Sequence, residues 1–164
     1  MTILSDISLN IVIEETSNIN DSIYDLLLLA DPAQKIVDEY IARGKVFVAN
    51  YSGDIVGEYV LINTRPETIE IVNIAIKEEY QGKGLGKLLL KDAVNRASMH
   101  GAKVLEIGTA NSSIFQLALY QKVGFRITRI DRDFFIKHYD EPIYENGIQC
   151  SDMIRLSMDL KQKL

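Results

Sequence analysis

The stretch Asn73–Val94, "NIAIKEEYQGKGLGKLLLKDAV", places three glycines at alternate positions from Gly82 to Gly86, between an apolar segment and a helical one. Glycine adopts backbone conformations closed to other residues and lets a ligand approach the main chain. Where glycines follow a strand and open a helix, unpaired N–H groups and the helix dipole form an anion site. Lys83 and Lys87 add positive charge. The stretch therefore predicts a phosphate-binding loop.

Two common phosphate-binding patterns do not fit this loop. A P-loop requires glycine where this chain has Gln81, and serine or threonine where it has Leu88. The dinucleotide fingerprint G-x-G-x-x-G requires its third glycine at the position of Lys87. On the residues alone, a tight strand-to-helix turn without a ligand remains the alternative.

Composition indicates one globular domain over residues 1–164, with 47% apolar and 25% charged residues. The net charge of −5, from 18 basic and 23 acidic side chains, argues against a nucleic-acid partner. The single cysteine, Cys150, excludes an intramolecular disulfide and fits a reducing compartment. The N-terminus does not resemble a signal peptide, and the apolar runs are too short to span a bilayer. We expect a cytoplasmic protein without a membrane segment, and no residue spacing indicates a metal site.

Hydrophobic periodicity predicts the order of secondary structure. The N-terminal part is predicted to contain a strand over Ser8–Glu14, a helix from a cap at Asn20 or Asp21 to Ala30, and a helix that has Asp31 as cap and Pro32 as first residue and ends at Arg43. A three-stranded meander follows over residues 45–76, and then a helix over Lys83–His100. The C-terminal part is predicted to contain the strand "KVLEIGT", the helix "SSIFQLALYQKV" capped by Ser112 or Ser113, and the strands "FRITRI" and "DMIRLSMDL". A long irregular connection is predicted from Asp131 to Cys150. The fold class is α/β, with a mixed, mostly antiparallel sheet of about seven strands flanked by about four helices.

Two segments carry a resemblance to a known family. "QGKGLG" resembles the (Arg/Gln)-x-x-Gly-x-(Gly/Ala) signature of the GNAT superfamily, the acyl-CoA-dependent N-acyltransferases. "LALYQKVGF" resembles the second signature of that superfamily, a helix that ends in Leu-Tyr-x-x-x-Gly-Phe. The order and separation of the two segments match the family, and so does the order of predicted elements from Ser8 to Leu160.

The resemblance implies acetyl-CoA as co-substrate and a set of residues that bind it. The strand segment would pair with the pantetheine arm, and the loop amides would hold the pyrophosphate. A family asparagine near the start of the following helix corresponds to Asn111, or its role passes to Ser113. The cofactor-binding residues are therefore predicted to be Ile74, Ala75, Ile76, Gln81, Gly82, Lys83, Gly84, Leu85, Gly86, Lys87 and Asn111.

The resemblance also implies catalytic residues. Tyr120 matches the family tyrosine that protonates the leaving thiolate, and a phenol with a pKa of ~10 is protonated at neutral pH. A ring that only packs in the core is the alternative. For the general base, Glu70 and Glu106 both lie in apolar strands, and each could instead be a solvated residue or the partner of a lysine. Many members of the family use a chain of water molecules in place of a direct base, which is the remaining alternative. The oxyanion is expected to bind a backbone N–H near Ile76, where a bulge separates two strands.

The predicted function is N-acetyl transfer from acetyl-CoA to a primary amine of a small molecule. Carboxylates and tyrosines of "KHYDEPIYENGIQCSD" (residues 137–152) suit a cationic acceptor. Protein acetylation is an alternative, because "LEIGTAN" and "RDFF" are similar to segments of enzymes that acetylate ribosomal-protein N-termini. A CoA-binding regulatory module without catalysis is another. An exposed strand edge near the C-terminus would permit a homodimer.

Overall fold

Seven strands form one mixed sheet in the computed structural model, which describes residue 7 and residues 10–161. The strands are β1 (Ile11–Thr16), β2 (Lys45–Tyr51), β3 (Asp54–Arg65), β4 (Thr68–Ile76), β5 (Val104–Ala110), β6 (Arg126–Asp131) and β9 (Met153–Asp159), in the spatial order β1-β2-β3-β4-β5-β9-β6. All neighbours are antiparallel except β4 and β5. The predicted fold class is confirmed.

Helices cover both faces of the sheet. They are α1 (Asp21–Ala30), α2 (Gln34–Arg43), α3 (Leu85–Met99), α4 (Ile114–Val123) and the short α5 (Phe134–His138). Side chains of α3 and α4 pack on one face in the larger apolar core, and side chains of α1 and α2 pack on the other face in a second core. No helix among the described residues combines the length and apolar character needed to cross a bilayer.

The start of α1 agrees with the prediction from the sequence, whereas the start of α2 does not. Asn20 caps α1, and its side chain accepts a hydrogen bond from the Ile23 N–H at 3.0 Å. Helix α2 begins at Gln34, two residues after the predicted Pro32, so that prediction is wrong. The reason is local: the Asp31 carboxylate accepts the Ala33 N–H at 3.1 Å, which stabilises a turn in place of a first helical turn.

Strand β1 begins at Ile11, three residues after the predicted start at Ser8. Ser8 itself lies outside the described residues.

The connection between β6 and β9 is more ordered than predicted. It holds α5 and a small hairpin of β7 (Tyr144–Glu145) and β8 (Ile148–Gln149). Its two-residue turn is Asn146–Gly147, both with positive φ, and an Asn-Gly pair is the sequence signal for such a hairpin.

Strands β4 and β5 separate halfway along their length. They pair from Thr68↔Val104 to Ile71↔Ile107, and β4 then continues to Ile76 without β5 beside it. A bulge marks the point of separation, because Val60 of β3 pairs with Asn73 whereas the next residue pairs with Ile71, which leaves Val72 extra. The bulge was expected near Ile76; that position is wrong, since Ile76 keeps a regular partner in β3.

Glu58 is the most unusual residue of the sheet. Its side chain is fully buried in β3, and neither carboxylate oxygen has a hydrogen-bond partner among the described residues. Burial raises the pKa of Glu58 well above its usual range. A buried acid without a partner disfavours the charged form, so we expect Glu58 to make the folded state less stable as the pH rises.

Replacement of Glu58 by methionine tests this expectation. The native state binds the Glu58 proton more tightly than the unfolded state does, so the cost is absent at low pH and grows as the pH rises towards the folded-state pKa. Glu58→Met should therefore raise the free energy of unfolding by about 1–3 kcal/mol at about pH 8 and by less at about pH 5. Urea unfolding at both pH values measures it. The exposed Glu141→Met is the control, and an equal gain at both pH values would contradict the argument.

Candidate active site

The glycine loop joins a 3₁₀ turn (Glu78–Tyr80) to α3 and exposes main-chain N–H groups. Gly82 and Gly84 have φ values of 73° and 81°, and a Cβ on either would meet no atom within 4 Å. Gly84 is the N-cap of α3, which has no side-chain cap, so the first amides of the helix remain available to an anion. Gly86 serves packing, because a Cβ there would lie 3.2 Å from Leu119 of α4.

A cleft of about 570 Å³, here called the loop cleft, lies between the glycine loop, the free edge of β4 and α4. Of the predicted cofactor-binding residues, it is lined by Ile74, Ala75, Ile76, Gln81, Gly82, Gly84, Leu85, Gly86 and Lys87. Lys83 is not among the lining residues, and its ammonium lies 5.3 Å from the centre of the Tyr80 ring. The Gln81 amide donates to the Ile76 carbonyl at 2.9 Å, which ties the loop to the end of β4.

A second cleft of about 450 Å³, here called the acidic cleft, opens where β4 and β5 separate. It shares part of its wall with the loop cleft, including Ile74, Gln116 and Tyr120. Asp31 and Glu145 are the charged residues in its described lining, and no basic side chain lines it. The cleft is therefore suited to a cationic molecule.

Tyr120 lies at the junction of the two clefts. It is 5% exposed, near the C-terminal end of α4, and its ring packs edge-on against Phe125 at 6.3 Å. Its hydroxyl makes no hydrogen bond to any described residue. Burial raises the pKa of Tyr120, and the charge of Glu145 raises it further. The phenol is consequently protonated at neutral pH and able to donate a proton.

Glu70 and Glu106, the predicted bases, are neighbours in register on β4 and β5 but line neither cleft. Each pairs with an arginine: Glu70 lies 3.0 Å from Arg155, and Glu106 forms an ion pair with Arg65. Burial raises the pKa of Glu70, while Arg155 opposes that shift. The sequence could not reveal these ion pairs, because both arginines are distant in the chain.

The Asn111 side chain forms hydrogen bonds to the chain that precedes β9. Its side-chain oxygen Oδ1 accepts hydrogen bonds from the N–H groups of Ser151 at 2.9 Å and Asp152 at 3.1 Å. Its side-chain nitrogen Nδ2 donates to the Gln149 carbonyl at 3.1 Å. It lines neither cleft. These bonds show that Asn111 holds the chain just before β9, and its assignment as a cofactor-binding residue stays a prediction. Ser113, the alternative residue, is at the N-cap of α4, and its hydroxyl donates to Glu145 at 3.0 Å.

Sequence reasoning missed two residues of the acidic cleft, Asp31 and Asn73, and included Tyr139 and Glu145 only within the segment 137–152. Asp31 was interpreted as a helix cap. Tyr139 and Glu145 belong to the acidic and aromatic connection, but only the structure selects them from its other tyrosines and carboxylates. The Asn-Gly turn was the signal that could have placed Glu145 on a hairpin.

Comparison with known proteins agrees with this geometry. The model of the Acetyltransferase (GNAT) family matches residues 14–125. An uncharacterized N-acetyltransferase of Bacillus subtilis (strain 168), YvbK, is 60% identical over 147 residues, which cover 90% of this chain and 93% of that protein. The chain therefore belongs to the GNAT acetyltransferase family.

Solved structures give the ligand of this fold. A Bacillus subtilis acetyltransferase in complex with CoA has a TM-score of 0.89 at 58% identity, covering 92% of this chain and 99% of its own. A GNAT family acetyltransferase from Elizabethkingia anophelis with acetyl-CoA bound has a TM-score of 0.89 at 50% identity, with the same coverage. Both agree with acetyl-CoA as the co-substrate.

Substitution of Gly84 tests the loop as the CoA-binding element. In Gly84→Val a β-branched residue must adopt a φ of 81°, which distorts the loop, and its side chain crowds the anion. We expect CoA affinity to fall roughly tenfold or more, measured by calorimetry. Gly53→Val is the matched control, since Gly53 has a φ of 83° and equally open space in the β2–β3 turn. Equal losses of affinity in both variants would contradict a specific role for Gly84.

Proposed function

We propose that this protein transfers the acetyl group of acetyl-CoA to a primary amine of a small molecule, by direct attack in a ternary complex. The observation that carries the proposal is the meeting of two clefts at Tyr120, one bounded by free loop amides and the other by uncompensated carboxylates. One cleft suits a diphosphate and the other a cation, and the phenol lies between them.

Acetyl-CoA would occupy the loop cleft. Its diphosphate accepts hydrogen bonds from the amides between Gly82 and Gly86, and the dipole of α3 adds to the attraction. Its pantetheine arm takes the place of the missing strand beside Ile74–Ile76, since the edge of β4 has no partner from β5 there. Such pairing would direct the thioester towards Tyr120.

Tyr120 would protonate the leaving thiolate. The same burial that raises its pKa makes the phenolate unfavourable, so the phenol regains its proton after each turnover. A backbone N–H near Ile76 would stabilise the oxyanion. Glu70 and Glu106 remain the bases predicted from the sequence, and each would have to act while paired with an arginine.

The acceptor is a small cationic molecule in this proposal. The acidic cleft is bounded by Phe135, Tyr139, Ile143 and Glu145 of the β6–β9 connection, which supports a compact acceptor over an extended peptide. The available phenol of Tyr120 supports catalysis over a purely regulatory role. A cytoplasmic location and a homodimer, for which the exposed Ile127 and Ile130 of edge strand β6 offer a surface, remain predictions.

A thiol-release assay tests the function. The purified chain is mixed with acetyl-CoA and a panel of small primary amines, and free thiol is measured together with the mass of the acetylated product. We expect amine-dependent thiol release. Binding of CoA without any thiol release across the panel would favour the regulatory alternative, and acetylation restricted to peptides would favour the protein acetylation alternative.

Replacement of Tyr120 by phenylalanine tests the proton donor. Turnover should fall roughly 10²-fold with little change in CoA affinity, because the variant lacks only the hydroxyl. Steady-state kinetics and calorimetry measure the two quantities. Tyr144→Phe, at a tyrosine that is 64% exposed on β7, is the control and should retain wild-type turnover. Unchanged turnover of Tyr120→Phe would remove the phenol from the mechanism.

A further inference from the structure

We propose that Asn73 and Asp31 form the binding site for the acceptor amine, and that Asp31 takes its proton. This inference rests on the proposed function and deepens it. In this proposal a carboxylate of the acidic cleft accepts the proton, and the ligand is an alkylammonium ion.

Asn73 supplies an acceptor atom that has no donor. It is 4% exposed and lies beside the bulge, in the wall of the acidic cleft. Its amide nitrogen donates to the Leu27 carbonyl at 2.9 Å and to the Tyr40 hydroxyl at 2.7 Å. Because the Leu27 carbonyl can only accept, the first bond fixes which end of the amide is nitrogen. Its oxygen Oδ1 is left buried without a partner among the described residues.

An unsatisfied buried oxygen is costly in the folded protein. The missing donor must carry an N–H or O–H group. An ammonium group in the acidic cleft would supply one. Ile74, which lines the acidic cleft together with Asn73, also lines the loop cleft, where the thioester is expected.

Asp31 supplies the charge. Its oxygen Oδ1 accepts the Ala33 N–H at 3.1 Å and the Tyr139 hydroxyl at 3.0 Å, whereas Oδ2 has only a long contact of 3.5 Å with the Tyr40 hydroxyl. The carboxylate is thus held in place through Oδ1 while Oδ2 keeps capacity for another donor. Tyr40 contacts both Asn73 and Asp31, so the two acceptors belong to one hydrogen-bonded unit.

Asp31 and Glu145, the two carboxylates that line the acidic cleft, have no counter-ion in the described part of the chain. Neither forms an ion pair with any described residue, whereas Glu70, Glu106 and Asp131 each pair with an arginine. Burial removes hydration from the Asp31 carboxylate, and a cationic ligand offsets that cost. Glu145 accepts the Ser113 hydroxyl at 3.0 Å, whereas Asp31 Oδ2 has only its long contact with Tyr40. Asp31 is therefore the carboxylate that we assign to the amine.

The proton balance of the step is complete. The ammonium gives one proton to Asp31 Oδ2, and the nitrogen lone pair then forms the C–N bond while the C–S bond breaks. The thiolate takes the phenolic proton of Tyr120, and the second proton of the nitrogen restores the phenol. Asp31 releases its proton to solvent, so each turnover gives one amide, one thiol and one proton.

The surroundings of Asp31 suit a proton acceptor. Burial raises the pKa of Asp31, and the donors Ala33 N–H, Tyr139 and Tyr40 oppose that shift. The titratable groups that face it are Tyr40 from α2, Tyr139 after α5 and Glu145 across the cleft. A carboxylate with a raised pKa is a stronger base and still binds an ammonium ion when deprotonated.

Binding and kinetics of n-butylamine test the proposal. Calorimetry measures the affinity of n-butylammonium for the CoA-saturated full chain, and kcat/KM for its acetylation is measured against pH. In Asp31→Asn, which keeps an oxygen for the Ala33 N–H, we expect affinity to fall roughly tenfold or more and kcat/KM to fall roughly 10²-fold with loss of the acid limb. Asp140→Asn, an exposed neighbour, is the control and should behave as the wild type.

Tyr139→Phe tests Asp31 through the pH of the acid limb of kcat/KM, which would not move if Asp31 had only a structural role. The Tyr139 hydroxyl holds the pKa of Asp31 down, so its removal raises that pKa and moves the acid limb of kcat/KM to higher pH. An acid limb that stays in place overturns the assignment of Asp31 as the base.

Two other results would also overturn the proposal. One is equal affinity of the wild type and Asp31→Asn for n-butylammonium, or no binding to either. The other is an acid limb that disappears in Glu70→Gln, Glu106→Gln or Glu145→Gln but persists in Asp31→Asn. Binding that depends on Asp31 without any thiol release by the wild type would support the ammonium site and contradict the proposed function, so the two failures are distinguishable.

Discussion

The separation of β4 from β5 is the constraint on which the site depends. The two strands pair through four residue pairs and then diverge at the bulge formed by Val72. A strand that leaves its neighbour exposes unpaired N–H and C=O groups, and in the middle of a sheet these require another partner. Residues of β4 beyond the bulge line both clefts, so the divergence of the two strands positions the site.

Charge compensation distinguishes the carboxylates beside the arginines of the sheet from those that line the acidic cleft. Glu70, Glu106 and Asp131 are neutralised by arginines and stabilise the end of the sheet near β6 and β9. Asp31 and Glu145 have only neutral donors around them, such as Tyr139 and Ser113. Hydrogen bonds from neutral groups keep a carboxylate in place without cancelling its charge, which leaves its field available to a ligand.

Burial has opposite consequences at two other positions. At Tyr120 it raises the pKa of a group that works in its protonated form, so desolvation and the proposed role agree. At Glu58 it raises the pKa of an acid that has no partner among the described residues. Burial of Tyr120 therefore supports the proposed role of the site, whereas burial of Glu58 destabilises the folded state, and the surrounding apolar core has to offset that cost.

The sequence by itself determined the order of elements, the glycine loop and the position of the phenol. These features depend on short-range patterns: alternation in the meander, glycines at alternate positions, and the Leu119–Tyr120 pair separated from Gly124 by three residues. The start of α2 was misplaced because the Asp31 side chain accepts the N–H of Ala33 in a turn, an arrangement that propensity does not distinguish from a cap.

Only the tertiary structure decided which carboxylates face the cleft. Glu70 and Glu106 stand in apolar strands as a buried base would, yet Arg155 and Arg65 reach them from distant parts of the chain. Asp31 and Asn73, 42 positions apart in the sequence, meet through Tyr40. Contacts between distant residues depend on how the sheet and helices pack, and no local pattern of side chains records that packing.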